Sequence, residues 1–318
     1  MIRNKLKYLA LTLSSTLLVS CNGIDNNQTI IESTDESADT TAEVSSDTDA
    51  ENTESTEKSG NEAGDFYSVK LDVDDEKSID LGNDGNMDSL VLTYGTTDWG
   101  ETYTLKTNDK TLDLITEEET NLCEDVDTYF VHKSTGDYLL ASRSGFSNIV
   151  DVVLYKWDNG SFVEKDRLKD MAISNDAESI SENNLVAYSY CTAFGNWDLC
   201  KNYSYGDTGF STEDKMSKVR PGYGGSKELT LKKSLTLNDE KGNPTKTLDA
   251  GQKIIPSEAN DTYEVGAKNT MSFVSEDGEL LGYITYEYVS DGETEFPSSV
   301  TVDGVSEDEL FENIEHVG

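Results

Sequence analysis

The chain has 318 residues and carries 63 acidic against 25 basic side chains, a formal net charge of −38 at neutral pH. Such a chain is repelled by phosphate backbones and by anionic lipid head groups, which excludes nucleic-acid binding. Its two histidines, His132 and His316, lie in no H-E-x-x-H or nucleophile motif, and P-loop, Rossmann and G-x-S-x-G patterns are missing, so the common hydrolase and nucleotide chemistries have no foothold in the sequence.

At the N-terminus Arg3, Lys5 and Lys7 precede an apolar stretch, Tyr8 to Val19. It is too short and too interrupted to span a bilayer as a permanent helix, so residues 1–20 read as a cleaved secretory signal. The stretch ends in Leu18-Val19-Ser20-Cys21, which resembles the lipobox of bacterial lipoproteins. That resemblance implies cleavage before Cys21 and diacylglycerol, with palmitate-class acyl chains, on its sulfur. The chain is then anchored in the cell membrane, on its extracytoplasmic face. Two or more acyl chains make such an anchor stable, at about 0.8 kcal/mol per buried methylene.

Residues 21–63 follow as the lipidated Cys and an acidic segment without aromatic residues or proline and with Lys58 as its sole cation. This composition buries too little apolar area to offset its ordering entropy. We expect a disordered tether spanning roughly 35 Å before charge repulsion extends it.

From residue 64 the composition turns to Tyr, Thr, Val and Gly. Short alternating stretches such as FYSVKLDV, SLVLTY, TYFVHK, DYLLAS, DVVLYKW and NLVAYSY recur between polar or Gly-containing turns. This is the pattern of an antiparallel all-β domain, here 64–217: a β-repeat, partial-propeller or sandwich arrangement. Asn159-Gly160 supplies the positive-φ pair of a tight hairpin turn. Helical pattern is confined to short turns at Leu168–Ala172 and Glu307–Asn313.

Within this domain, IDLGNDGNMDSLVL (79–92) places small polar or acidic residues at every second position. It resembles the calcium loops of FG-GAP and VCBS-type repeats. The resemblance implies side-chain ligands at Asp80, Asp84 and Asp88, converging on one point, a backbone carbonyl at Asn86, and a strand over Ser89–Thr93. Calcium takes six to eight hard oxygens. Gly82 stands where the pattern wants Asp or Asn, so the expected site is weak; an acidic turn without calcium is the alternative. Cys191 and Cys200 flank a hairpin loop around Phe194-Gly195-Asn196. An exported chain permits a disulfide between them, with Cys123 left over; three free thiols are the other reading.

Gly-rich residues 218–226 read as a linker. Beyond them, 227–318 contain Leu248-x-x-Gly251 before Ile254-Ile255, then Phe273-Val274, Asp277-Gly278 and Gly282-Tyr283-Ile284. This resembles a bacterial SH3-like (SH3b) barrel, with Tyr283 where Trp is commoner and a short tail helix capped by Ser306 toward Glu309. The resemblance implies binding of cell-wall peptide, or alternatively a structural cap. The expected protein is an all-β, membrane-anchored, surface-displayed lipoprotein of the cell envelope. It binds or scaffolds, with the lipid membrane, wall peptide or polysaccharide as partners. The rival is a polysaccharide- or wall-active hydrolase using an Asp/Glu pair. Exposed aromatics such as Trp99, Trp157 and Trp197 suit sugar stacking or the core.

Overall fold

A computed structural model describes residues 66–314, except 99, 121, 146–148, 175–178, 223–226, 293–295 and 313. Cys21, the tether, Trp99, His316 and residues 223–226 of the expected linker lie outside the described residues.

The first strands are β1 (Tyr67–Leu71), β2 (Glu76–Ile79), β3 (Asp88–Thr97), β4 (Gly100–Thr107) and β5 (Lys110–Ile115). They are followed by β6 (Asp125–Lys133), β7 (Gly136–Ser144), β8 (Ile149–Asp158) and β9 (Ser161–Lys169). They form two antiparallel sheets, ordered β2-β3-β4-β5 and β1-β6-β7-β8-β9. Asn159 and Gly160, with φ of 51° and 83°, make the turn between β8 and β9. Residues Leu168–Ala172 form no helical turn: β9 runs to Lys169, and Asp170 turns the chain at φ 56°.

The apolar runs of β7 and β8 have a direct structural reason. Successive strand residues point to opposite faces, and here both faces are covered. Leu139, Ala141, Val153 and Tyr155 pack toward β2–β5 with Leu90, Leu92 and Leu105. Tyr138, Leu140, Val152 and Leu154 pack on the other side with Ile173, Leu185 and Tyr205. A strand buried on both faces loses its polar alternation, which is why YLLA and VVLY contain no charge.

A third antiparallel sheet begins with β10 (Ala172–Ile173), β11 (Ile180–Ser181), β12 (Asn184–Cys191), β13 (Trp197–Gly206), β14 (Gly209–Ser211) and β15 (Ser217–Pro221). It continues through β16 (Leu229–Leu231), β17 (Leu235–Asn238), β18 (Pro244–Leu248), β19 (Lys253–Asn260), β20 (Lys268–Val274) and β21 (Leu280–Val289). It ends with β22 (Ser299–Val302), β23 (Val305–Ser306) and β24 (Phe311–Glu312). The helix α1 (Glu307–Leu310) precedes β24 and is the single helix among the described residues. Ser306 is its N-cap residue but makes no side-chain capping bond, so the expected cap toward Glu309 does not form.

Lys218–Pro221, expected in the linker, are strand. β15 pairs with β13 through Trp197↔Pro221 and with β19 through Lys218↔Glu258, so the sheet runs on without a break there. The core of the C-terminal part gathers Leu231, Leu237, Ile254, Met271, Phe273, Tyr286 and Phe311, and Cys191, Phe194, Trp197 and Leu199 join it from the β12–β13 hairpin. The opposite end of that hairpin, at Leu185 and Tyr205, packs on the five-stranded sheet. The described chain is thus all-β, with three antiparallel sheets.

Candidate functional site

The loop at 80–88 is a tight turn whose carboxylates face its own backbone. Asp80 accepts the Asp84 amide at 3.0 Å and the Gly85 amide at 3.1 Å. Asp84 Oδ1 accepts the amide and side-chain nitrogens of Asn86 at 2.8 and 3.0 Å. Asp88 Oδ2 accepts the Leu81 amide at 3.1 Å, and its Oδ1 accepts Asn108 Nδ2. The three carboxylates thus accept from backbone amides of the turn and from the side chains of Asn86 and Asn108. Among the described residues no group of three or more His, Cys, Asp or Glu is placed to hold a metal ion. The strand after the loop is longer than Ser89–Thr93, running from Asp88 to Thr97.

Gly82, the departure from the calcium pattern, has a packing explanation. Its φ is +77°, and a Cβ there meets the Trp157 ring at 3.3 Å. Its amide donates to Asp137 Oδ2 at 2.6 Å. Asp137 Oδ1 lies 2.6 Å from His132 Nδ1, directly opposite across the β6–β7 hairpin. Both side chains are buried and Tyr67 stacks on the imidazole. His132 is a strand residue, as its alternation suggests; its carboxylate partner does not stand out in the sequence, although the tight His132-to-Asp137 hairpin spacing carries that signal.

Of the two readings for the cysteines the structure has the unbridged one: Cys123, Cys191 and Cys200 are buried and form no disulfide. The hairpin forms, but its register sets Cys191 opposite Trp197 and Cys200 opposite Tyr188. The two thiols are thus three positions apart in register and on opposite faces of the sheet. Cys191 Sγ lies 3.9 Å from the hydroxyls of both Tyr286 and Tyr288. Those hydroxyls donate to Asp261, at 2.5 and 3.3 Å. Burial pushes the Cys191 thiol up to about 12 and lifts the Asp261 carboxyl above the usual range, although the two phenols pull the latter back. A thiol so placed stays protonated, and its nucleophilicity is suppressed.

Two adjoining clefts open on the outer face of β17, β19, β20 and β21. Along β21 the inward residues are Gly282, Ile284, Tyr286 and Tyr288, so Tyr283 and Thr285 face outward. Register then lays Glu258, Ser272, Tyr283 and Asn238 in one row across four strands. Gly282 permits this row: a Cβ there falls 2.8 Å from Leu237 Cβ and 2.9 Å from the Asn238 carbonyl. Only a residue without a side chain lets β17 approach β21 so closely.

The smaller cleft, about 400 Å³, has Leu280, Leu281 and Tyr283 along one side and Asp239, Glu240 and Lys241 along the other. The larger, about 670 Å³, shares Asn238, Asp239, Glu240 and Tyr283 with it and extends to Glu213, Asp214, Lys215 and Glu258. The Tyr283 hydroxyl donates to Glu240 Oε1 at 3.4 Å. Burial and the nearby Glu240 carboxylate hold that phenol above its ordinary range. The Asp239 carboxyl lies below its ordinary range because Asn243 and the Lys241 amide donate to it. Asp214 is lowered in the same way by Asn202. At neutral pH the cleft floor thus presents fixed negative charge beside one half-buried aromatic ring. Tyr283 and Gly282 stand out in the sequence; the acids Asp214, Asp239, Glu240 and Glu258 do not, because acidic residues are everywhere in this chain. No family model, no curated protein and no solved structure matches the chain.

Proposed function

We propose that this chain is a lipid-anchored, surface-displayed binding protein of the cell envelope, with its ligand seated in the Tyr283 groove. The observation that carries this reading is the row of Glu258, Tyr283 and Asn238 beneath two joined clefts. A concave site with an aromatic platform and a few convergent polar groups is the ordinary form of a ligand site. The lipobox-like Cys21 and the acidic tether support anchoring and display outside the membrane. In this reading the C-terminal part is an SH3-like module. In support, β16 pairs with both β19 and β24, and the short helix α1 leads directly into β24. For the N-terminal part, a sheet packed on both faces supports a layered sandwich over a propeller blade.

The second reading, a polysaccharide- or wall-active hydrolase, draws on the five carboxylates lining the larger cleft. One experiment separates the two. The full chain carrying Cys21→Ser is incubated with isolated cell wall and with soluble polysaccharide, beside the same chain with Tyr283→Ala. The binding reading expects sedimentation with one material, reduced about ten-fold by Tyr283→Ala, without release of soluble fragments. Fragment release abolished by Glu240→Gln or Glu258→Gln supports the hydrolase instead. Equal sedimentation by both chains overturns the groove assignment.

A further inference from the structure

We propose that the occupant of the groove is an extended peptide bearing side-chain amines next to an apolar residue. This rests on the binding reading above and adds the chemical class of the ligand. The larger cleft is lined by Glu213, Asp214, Asp239, Glu240 and Glu258 against the single cation Lys215. Asp239 and Asp214 are held ionised by the amides and the Asn side chains that donate to them. The same donors hold these two carboxylates in place along the cleft. A carboxylate ligand, a phosphate or an acidic glycan meets this floor with like charge, which costs affinity and slows encounter.

The smaller cleft adds an apolar side. Leu280 is more than half exposed, at 57 %, and stands at the start of β21 with Leu281 and Tyr283 on one wall of the cleft. Charge and apolar surface thus meet along one groove, about 400 and 670 Å³ in its two parts, far more room than a lone cation fills and enough for a few peptide residues. An amine crossing the Tyr283 ring also gains a cation–π contact.

The test uses the full chain with Cys21→Ser and three capped hexapeptides: Gly-Lys-Leu-Lys-Ala-Gly, and its counterparts with both Lys replaced by Gln or by Glu. Binding is read by NMR shifts of isotope-labelled tyrosine rings, with Tyr283→Phe identifying the Tyr283 signal. The Lys peptide is expected to shift Tyr283 saturably and to bind on the order of five-fold more tightly than the Gln peptide, the scale of one or two exposed ion pairs. The Glu peptide is expected to leave the signal unmoved. The preference for Lys should fall in Glu240→Gln and Glu258→Gln chains and at high salt. Equal affinity for the Lys and Gln peptides overturns the cationic class while leaving the groove as a binding site. If none of the three peptides moves Tyr283, the inference is overturned. In that case Tyr283-dependent sedimentation with cell wall still upholds the binding reading, and its loss removes both.

Discussion

The five-stranded sheet and the C-terminal meander bury charge in opposite ways. In the sheet, Arg143 is 4 % exposed and donates to Asp151 through two nitrogens at 2.7 and 2.8 Å. It also reaches Glu119 and the Leu114 carbonyl, and Arg167 caps the second Asp151 oxygen at 2.7 Å. In this network each carboxylate faces a guanidinium. In the meander, Asp261 is held by two phenols and a thiol lies alongside, so the carboxyl has donors but no cation. The first arrangement favours ionised acids and the second favours a neutral one. The sheet is therefore weakened by acid, whereas the meander is relieved by it.

The largest expected effect breaks the paired region. Arg143→Met leaves Asp151 buried beside Arg167 alone and removes the link to the Glu119 loop. It should destabilise the chain by about 3–5 kcal/mol, the cost of stripping one partner from a buried ion pair. Urea unfolding at pH 7 measures this; a loss below 1 kcal/mol would mean that the network contributes little. The linkage has a definite sign. Burial raises Asp151 and Glu119, but the Arg143 hydrogen bonds outweigh it and hold both folded values below 3.8 and 4.5. Their contribution is complete above those values and is lost as pH falls through the lower folded ones.

A smaller effect sharpens the other side. The folded value of Asp261 lies above 3.8, so its ionisation penalises the native state as pH rises from 3.8 through that raised value. Asp261→Asn keeps an acceptor for the phenols and removes the titration. We expect a change within about 1.5 kcal/mol at pH 7. The parent should gain on the variant as pH is lowered toward 3.8. A parent-minus-variant difference that stays flat with pH would sink the contrast between the two regions.

The smallest effect tests α1 in the meander. Ser306→Ala should leave the melting temperature within about a degree, because no capping bond exists to lose. A working cap costs about 0.5–2 kcal/mol on removal. A drop of that size would show a bond formed in solution.

Much of this architecture is legible in sequence, for local reasons. Asn159-Gly160 fixes its hairpin because few other pairs adopt two positive φ angles in succession. YLLA and VVLY mark strands covered on both faces. The cysteine bridge failed on register: the expected loop lies a residue or so too far along the chain. With a side-chain period of two, so small an offset sends Cys200 to the other face. The calcium expectation turns on orientation, which spacing does not encode. The acidic spacing is real, but oxygens aimed inward at turn amides look the same in sequence as oxygens aimed at a cation. The Arg143 network and the groove acids join residues far apart in the chain, and no spacing rule reaches them.

The β12–β13 hairpin has a mechanical consequence. Its base at Leu185 and Tyr205 is clamped in one core, while its tip at Phe194 and Trp197 is clamped in another. It works as a splint across a joint, passing strain from one end to the other. Tension or heat that loosens the meander uncovers the tip, and the unsupported hairpin then lifts from the sheet at its base. The two halves are therefore expected to melt together, and a chain cut between β15 and β16 is expected to yield two frayed pieces; two separate melting transitions would overturn this.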